Sequence, residues 1–271
     1  HLQGEEGEGG VLVRRSDDAI MVDSTIEEAD ARQSHPEAFQ TAANDVAGFR
    51  AKFNGLLDEQ AAFLNAAEDE AVHRAERARG VISLTGVPVS RVMDQQPQVG
   101  AQHGEISTLE ANSETDDGMF ETRVLEVAAR LEEAGLYEKL IHTLPLGAPM
   151  SPPYRETSGF GFRSDPFTGR SAWHEGLDLA SYFGAPVLST APGVVTFAGV
   201  KSGYGRCVEV DHGHGFKTRY GHLNSITVKS GAEVALGQKV GTMGSTGRST
   251  GPHLHYEVYF RGKAYDPIRF L

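Results

Sequence analysis

Residues 253–260 read His-Leu-His-Tyr-Glu-Val-Tyr-Phe, a stretch in which two sets of side chains alternate. A period of two is typical of a half-buried strand, because successive side chains point to opposite faces. His253, His255 and Glu257 therefore share one face of the predicted strand. The two imidazoles are about 7 Å apart along a strand, so both can reach one small site. On the same face Glu257 could orient His255 by accepting a hydrogen bond, or it could be an ordinary surface residue.

Two other short motifs in the last third of the chain add residues of the same chemistry. Residues 174–178 read His-Glu-Gly-Leu-Asp, and residues 220–223 read Tyr-Gly-His-Leu. Neutral imidazole and carboxylate are good zinc ligands, and a catalytic zinc usually takes three protein ligands and a water. The three motifs therefore supply enough residues for a metal site and leave histidines for proton transfer.

The order of these motifs, H-x-G-x-D, Y-G-H-L and H-x-H, resembles the M23 (LytM-type, lysostaphin-like) zinc metallopeptidases that cut peptidoglycan peptides. Residues 157–161, 165–169 and 241–247 also resemble that family. The resemblance covers residues 146–271, a little under half of the chain. Separated motifs in the right order make it specific.

The resemblance implies a role for each motif residue. His174, Asp178 and His255 match the ligands of Zn²⁺, and His222 and His253 match two histidines beside the metal. Zinc lowers the pKa of a bound water from about 15.7 to near 7. A histidine can then take up a proton and return it to the leaving amine. His253 is favoured for the water because it flanks a ligand, but the sequence does not divide the two roles.

The expected function is a zinc endopeptidase that hydrolyses peptide cross-links of bacterial peptidoglycan during growth or separation of daughter cells. Such a substrate implies a location in the periplasm or cell envelope, with a membrane anchor upstream of His1. A rival hypothesis is a non-catalytic LytM-type regulator that activates another wall hydrolase. A third and weaker one is a module that only binds the wall. Metal content separates the first two, because a regulator needs no zinc.

The predicted fold is α+β, with a C-terminal antiparallel β-rich domain over residues 146–271. Short strand-like runs separated by Gly and Pro turns indicate this domain, and prolines at 145–153 mark its start. A helical coiled-coil region is predicted over residues 24–145, after a flexible segment at 1–23. Within it, residues 81–118 are poor in periodic apolar positions, which predicts an extended connection.

Two long helices are predicted on either side of that connection. The first runs from about Pro36 to Arg79 and ends at Gly80. Its apolar positions step by three and four residues, a heptad pattern: Phe39, Ala42, Val46, Phe49, Phe53, Leu56, Phe63 and Ala67, with Gln60 the polar exception. An ordinary amphipathic helix is the alternative to a coiled coil. The second helix runs from about Met119 to His142, and it could return antiparallel along the first or pair across a dimer.

The charge of the chain is split between its two parts. The net charge is −12, and it is concentrated in the acidic residues before Met150, whereas residues 150–271 carry a small basic excess. A cationic domain suits an anionic polymer such as a wall whose peptides carry carboxylates. The acidic arm could also fold over the basic cleft and inhibit it, or the helices could dock a divisome or elongasome partner. A nucleic-acid partner is not expected, because no nucleic-acid-binding motif is present.

Three further expectations follow from the remaining residues. His212 and His214 lie in a Gly-rich turn and are predicted to face solvent. Cys207, the only cysteine, is predicted to be a small buried residue, and it allows no intrachain disulfide. Arg206 stands where the resembling family often has asparagine, which could alter the fit of a substrate.

Overall fold

A computed structural model of the chain describes residues 36–93 and 116–271. The chain divides into two compact units, one ending at Phe63 and one spanning residues 64–271. The predicted flexible segment at 1–23 and most of the predicted extended connection lie outside the described residues. In the described part, no helix is long and apolar enough to span a bilayer.

The described residues contain three α-helices, which are α1 (Pro36–Leu84), α2 (Val89–Met93) and α3 (Asp116–Thr143). The prediction that Gly80 ends the first helix is wrong, because α1 continues for another turn. A glycine costs about 1 kcal/mol relative to alanine in a helix interior. Burying Ile82, which is fully enclosed, contributes about 1.5–3 kcal/mol and outweighs that cost. The helix stops before Gly86, whose φ of +75° is typical of a helix C-terminus.

The predicted connection at 81–118 is therefore helical at both of its ends. Its first residues belong to α1, its last to α3, and the short helix α2 lies between them. The second predicted helix is confirmed by α3, which begins three residues before Met119 and ends one residue after His142.

The predicted heptad residues from Ala42 to Phe63 are exposed. Every residue from 40 to 63 is exposed, including Phe49, Phe53 and Phe63. The coiled-coil pairing of this stripe stays a prediction. The rings of Phe49 and Phe53 stack on each other with centroids 6.4 Å apart.

In the second unit, the end of α1 and the end of α3 form a helix pair with a narrow seam. The buried residues of α1 are small or apolar, and they are Leu64, Ala71, Ala75, Ala78 and Ile82. This stripe is displaced by one residue from the continuation of the predicted heptads. On α3 the buried positions are Val127, Ala134, Tyr137 and Leu140.

The two helices of this pair run in the same direction. Arg123 donates to Asn65 near one end, and Arg79 donates to Tyr137 near the other, and both pairs are 58 residues apart in sequence. A constant separation is the signature of parallel neighbours, so the antiparallel hairpin is not formed. The bidentate contact of Arg74 with Glu138, at 2.7 and 2.5 Å, joins residues 64 apart, a separation close to that of the other two pairs.

Residues 150–271 form the predicted antiparallel β-rich domain. Its strands are β1 (Arg155–Ser158), β2 (Gly161–Ser164), β3 (Ser171–His174), β4 (Leu177–Ala180), β5 (Pro186–Leu188), β6 (Gly193–Lys201), β7 (Gly205–Gly213), β8 (Phe216–Ile226), β9 (Glu233–Val234), β10 (Lys239–Met243), β11 (Leu254–Phe260) and β12 (Lys263–Tyr265). The main sheet has the order β1-β4-β11-β8-β7-β6-β9, and β2 and β3 form a separate hairpin. A 3₁₀ turn at Pro267–Phe270 follows the last strand.

One contiguous apolar cluster joins the sheet to the helix pair. Phe216, Tyr256 and Phe260 of the sheet belong to it together with Ile82 and Leu140 of the helices. The helix pair is therefore packed as part of the second unit rather than as a detached arm.

Replacing Ile82 with alanine tests this shared cluster. We expect Ile82→Ala to lower the free energy of unfolding by about 2–5 kcal/mol, because a fully buried side chain leaves a cavity. Leu84→Ala on the same helix is the matched control, since Leu84 is 76% exposed and its loss is expected to cost less than about 0.5 kcal/mol. Urea unfolding followed by circular dichroism measures both, and equal effects would contradict the packing described here.

Candidate functional site

Neighbouring strands of the sheet bring the predicted metal ligands together. His255 on β11 lies directly opposite Asp178 on β4, and on its other side it lies opposite Gly221 on β8, next to His222. His174 is the last residue of β3, which leads through Glu175 and Gly176 into β4. The register of three strands therefore collects the residues of all three sequence motifs.

Gly176 allows the approach of His174 to Asp178. A Cβ atom at this position would lie 2.7 Å from Cε1 of His255 and 2.7 Å from the carbonyl oxygen of Tyr256. Any larger residue would push the β3–β4 connection away from β11. The glycine of the H-x-G-x-D motif is therefore a requirement of close packing against a ligand.

The hydrogen bonds of the two histidines fix which ring nitrogens face the site. Nδ1 of His174 lies 2.6 Å from the carbonyl oxygen of Gly159, which can only accept, so this nitrogen donates. Nε2 of His255 donates in the same way to Oε1 of Glu257 at 2.9 Å. In their neutral forms both rings therefore turn an unprotonated nitrogen toward Asp178.

Three electron-pair donors then meet at one buried point. Oδ1 of Asp178 lies 2.8 Å from Nδ1 of His255 and 3.2 Å from Nε2 of His174. The two nitrogens are 3.1 Å apart. Each of the three residues is only 7% exposed. Three lone pairs at this spacing repel one another unless a positive charge lies among them.

The pKa values of the cluster also indicate that it favours a positive charge. Burial lowers the pKa of His255, but the hydrogen bonds with Asp178 and Glu257 outweigh it and raise the pKa to about 9. Burial alone would raise the pKa of Asp178, yet the adjoining rings of His174 and His255, which can donate to its carboxylate when they are protonated, hold that pKa well below its usual range. The surroundings thus favour a cation at the centre of the cluster.

The donor set fits a small divalent metal ion. Ligand atoms of a tetrahedral zinc site stand about 3.3 Å apart, given zinc–ligand distances of about 2.0–2.1 Å. The three separations measured here, 2.8, 3.1 and 3.2 Å, are close to that value. Two imidazoles and one carboxylate are also a common zinc donor set. His174, Asp178 and His255 therefore form a group that could hold a metal ion, and the structure brings these three predicted ligands together.

The other two predicted histidines lie beside this group and are held in the same tautomer. Nδ1 of His222 donates to the carbonyl oxygen of Thr246 at 2.8 Å, and Nδ1 of His253 donates to that of Gly251 at 2.8 Å. Their ring centroids are 4.8 Å apart. Both rings line the cleft and keep Nε2 free for exchange of a proton, and Nε2 of His253 lies 3.7 Å from Oδ1 of Asp178.

His222 is held in a restricted conformation. Its φ of +57° is uncommon for a residue with a side chain and marks stored backbone strain. Its amide donates to the carbonyl oxygen of Tyr204 at 2.8 Å. Burial lowers the pKa of its imidazole to about 4, so the ring is neutral at pH 7.

Comparison with known proteins identifies the domain that carries this site. The model of Peptidase family M23 matches residues 172–267, which include all five site residues. Residues 172–267 are a Peptidase M23 domain.

Three proteins illustrate the relationship. The chain is 44% identical over 114 residues to the DD-carboxypeptidase/endopeptidase Mpg of Neisseria meningitidis, covering 42% of this chain and 26% of that protein. It is 40% identical over 164 residues to the peptidoglycan DD-endopeptidase ShyB of Vibrio cholerae, covering 58% and 38%. A crystal structure of a zinc containing peptidase from Vibrio cholerae shares 44% identity, with a TM-score of 0.42, covering 44% and 37%. The match spans about a quarter of the length of Mpg and about two fifths of the length of ShyB.

The site of the M23 domain opens into a cleft of about 650 Å³. Exposed aromatic rings border it, with Trp173 and Phe167 each 50% exposed. Among the described residues, its lining comes only from residues 157–257. Inhibition of this cleft by the acidic arm therefore stays a prediction, because no described helix residue lines it.

Glu257 is the residue that orients His255, in agreement with the first of the two readings of the sequence. It is 1% exposed, and its Oε2 accepts from Nη1 of Arg219 at 2.6 Å and from the hydroxyl of Tyr259 at 2.8 Å. Tyr204 donates to Oε1 at 3.0 Å. Burial raises the pKa of Glu257, but the hydrogen bond from His255 and the charge of Arg219 outweigh it and lower the pKa to about 2.

Sequence reasoning did not find Arg219. Its guanidinium also donates to Glu209 at 2.7 Å and lies over the rings of Tyr204 and Tyr259, 4.5 and 5.1 Å from their centroids. The only available signal was the alternation of β8, which puts Arg219 two residues after Lys217. The sequence could not show which buried carboxylate it would meet.

The remaining predictions about single residues have mixed outcomes. The prediction that His212 faces solvent is wrong. His212 is buried, and its ring nitrogens form hydrogen bonds with the carbonyl oxygen of Pro192 and the hydroxyl of Thr218, both at 2.8 Å. Its position on β7 places the ring inward, whereas His214 in the turn is exposed as predicted. Cys207 is buried as predicted, and burial raises the pKa of its thiol to about 12. Arg206 donates to the carbonyl oxygen of Asn224 at 3.0 Å and touches no ligand.

Replacing Arg219 tests whether it acts on the metal group through Glu257. We expect Arg219→Met to weaken zinc affinity by about 10–100-fold, because outer partners of ligating histidines typically contribute that much. Arg206→Met on the adjacent strand is the matched control and should leave affinity unchanged. Competition with a chromophoric zinc chelator measures both, and an unaltered affinity in Arg219→Met would refute the role.

Proposed function

We propose that this chain is a zinc-dependent endopeptidase that hydrolyses peptide cross-links of bacterial peptidoglycan. The observation that carries the proposal is the convergence of three unprotonated ligand atoms within 3.2 Å, with the Nε2 atoms of His222 and His253 beside them. Membership of the M23 peptidase family and the names of Mpg and ShyB support the reaction and the substrate.

Three residues of the site would bind the zinc, and two would transfer protons. His174, Asp178 and His255 would hold the zinc, which when bound supplies an acidified water and a polarised substrate carbonyl. His253 takes up a proton at Nε2, which lies 3.7 Å from Oδ1 of Asp178. His222, neutral at pH 7, presents its Nε2 to the same cleft and can hydrogen-bond the developing oxyanion or serve the leaving amine.

The electrostatics of the domain suit this substrate. Residues 150–271 carry a small basic excess against the strongly acidic remainder. A basic domain attracts a polymer whose peptides carry free carboxylates, and it concentrates that polymer near the cleft. Because this polymer lies outside the cytoplasmic membrane, we place the working enzyme in the periplasm or cell envelope.

Digestion of purified sacculi tests the proposal. We expect the zinc-loaded chain to release soluble fragments, and a chelated sample to release none until zinc is returned. His222→Ala should be slower by about 10²–10⁴-fold, the usual contribution of a positioned acid or base. His142→Ala on the exposed side of α3 is the control and should keep the full rate.

Mass spectrometry of the fragments identifies the bond that is cut. New amino and carboxyl termini within the peptides support an endopeptidase. A zinc-loaded chain that binds sacculi and releases nothing would instead support the non-catalytic regulator.

A further inference from the structure

A second groove, here called the Arg155 groove, lies next to the catalytic cleft. Its volume is about 510 Å³, and its walls are largely apolar, with Pro153, Tyr154, Phe183 and Pro252 among them. Arg155 is the only charged side chain among the residues that line it. The groove therefore pairs one cation with an apolar surface, which suits a ligand that has one anionic group on an uncharged body.

The same two strands form both the Arg155 groove and the catalytic cleft. On β1, Arg155 lines the groove while Thr157, two residues later, lines the cleft. On β4, Ala180 lies opposite Arg155, and Asp178 lies opposite Ser158. Two residues along a strand correspond to about 7 Å. A ligand that reaches the metal group can therefore extend into the groove without leaving the surface.

The part of the chain that the structure describes does not neutralise the charge of Arg155. Within residues 36–93 and 116–271, no carboxylate forms an ion pair or hydrogen bond with its guanidinium. Other arginines near the site do have partners, since Arg163 faces Asp178 at 3.6 Å and Arg248 faces Asp165 at 2.8 Å. The neighbouring Glu156 carboxylate lies beside Gly159 instead.

The edge of the sheet offers a binding surface between the metal group and the Arg155 groove. β1 is the terminal strand of the main sheet and pairs only with β4 among the described strands. An extended peptide can add to such an edge through backbone hydrogen bonds. A peptide with its scissile carbonyl near Asp178 would reach Arg155 about three residues away, a span of about 10 Å.

We infer that the Arg155 groove is a substrate subsite that binds a free carboxylate of the wall peptide, two to three residues from the bond that is cut. This inference rests on the proposed endopeptidase function and adds a specificity determinant to it. Arg155 contributes a charge-assisted hydrogen bond to the carboxylate, and the apolar walls contact the peptide beside it. The groove touches no metal ligand, so it affects substrate choice and not metal binding.

The test uses the full zinc-loaded chain and two forms of one substrate. The first is a cross-linked peptide dimer released from purified sacculi, and the second is the same dimer with its carboxyl groups converted to carboxamides. We expect the wild type to show about a tenfold lower kcat/KM on the amidated form, equivalent to about 1.4 kcal/mol. Arg155→Gln should lose about tenfold on the free-carboxylate form and no longer distinguish the two. Arg170→Gln, which removes an exposed arginine outside the groove and the cleft, should retain the wild-type preference.

A binding measurement keeps the subsite separate from catalysis. Trp173 is the single tryptophan and lines the cleft, so its fluorescence reports peptide binding to the chelated chain, which does not turn over. Tighter binding of the free-carboxylate dimer by wild type than by Arg155→Gln supports the subsite even if no cleavage occurs, and that outcome would count against the endopeptidase alone. If Arg155→Gln keeps the wild-type preference for the free carboxylate in either assay, the subsite assignment is wrong.

Discussion

The site depends on several hydrogen-bond acceptors that lie close together around the buried His255 ring. Asp178 and Glu257 place two carboxylates on either side of the His255 ring, in a place where unpaired charge is costly. The proposed zinc would offset the repulsion among the ligand atoms on one side. Arg219 resolves it on the other side, because its guanidinium contacts the Glu257 oxygen that faces away from His255. The proposed zinc and Arg219 would therefore balance the two carboxylates from opposite sides of the His255 ring.

That requirement explains why the surrounding strands have little freedom. A shift of β11 by one residue would turn His255 and Glu257 to the opposite face and leave Tyr256, which is fully buried, on the polar side. The opposite face of the strand is committed to the core, since Leu254, Tyr256 and Val258 all lie in the apolar cluster. Packing thus fixes the register, and the register fixes the ligands. The strained backbone of His222 persists because the same neighbours determine it on every side.

The sequence predicted the residues that meet at this site better than the residues that hold them in place. Alternation along residues 253–260 was enough to place His253, His255 and Glu257 on one face, because the period of a strand is a local property. The role of Arg219 was not predicted, because it comes from a contact with Glu257 on a neighbouring strand, 38 residues away in sequence. His212 was misjudged for a related reason: its Gly-rich surroundings suggest a turn, but β7 extends through it and turns the ring into the core. In each case the missing information was which strands become neighbours.

The helices show where local patterns carry the least information. The heptads of residues 39–67 were read correctly as helix, yet the buried seam farther along is displaced by one residue, because α3 and the sheet decide which face of α1 is covered. Prolines at 145–153 suggested a separate arm, since proline interrupts a helix. Leu144 and Met150 on either side of Pro145 and Pro149 are nevertheless both buried in the common cluster, and the amide of Gly147 donates to Thr190 at 2.8 Å. A stiff segment that is anchored at both ends couples two elements instead of separating them, so changes in the helix pair can reach the sheet that holds the metal ligands through direct packing.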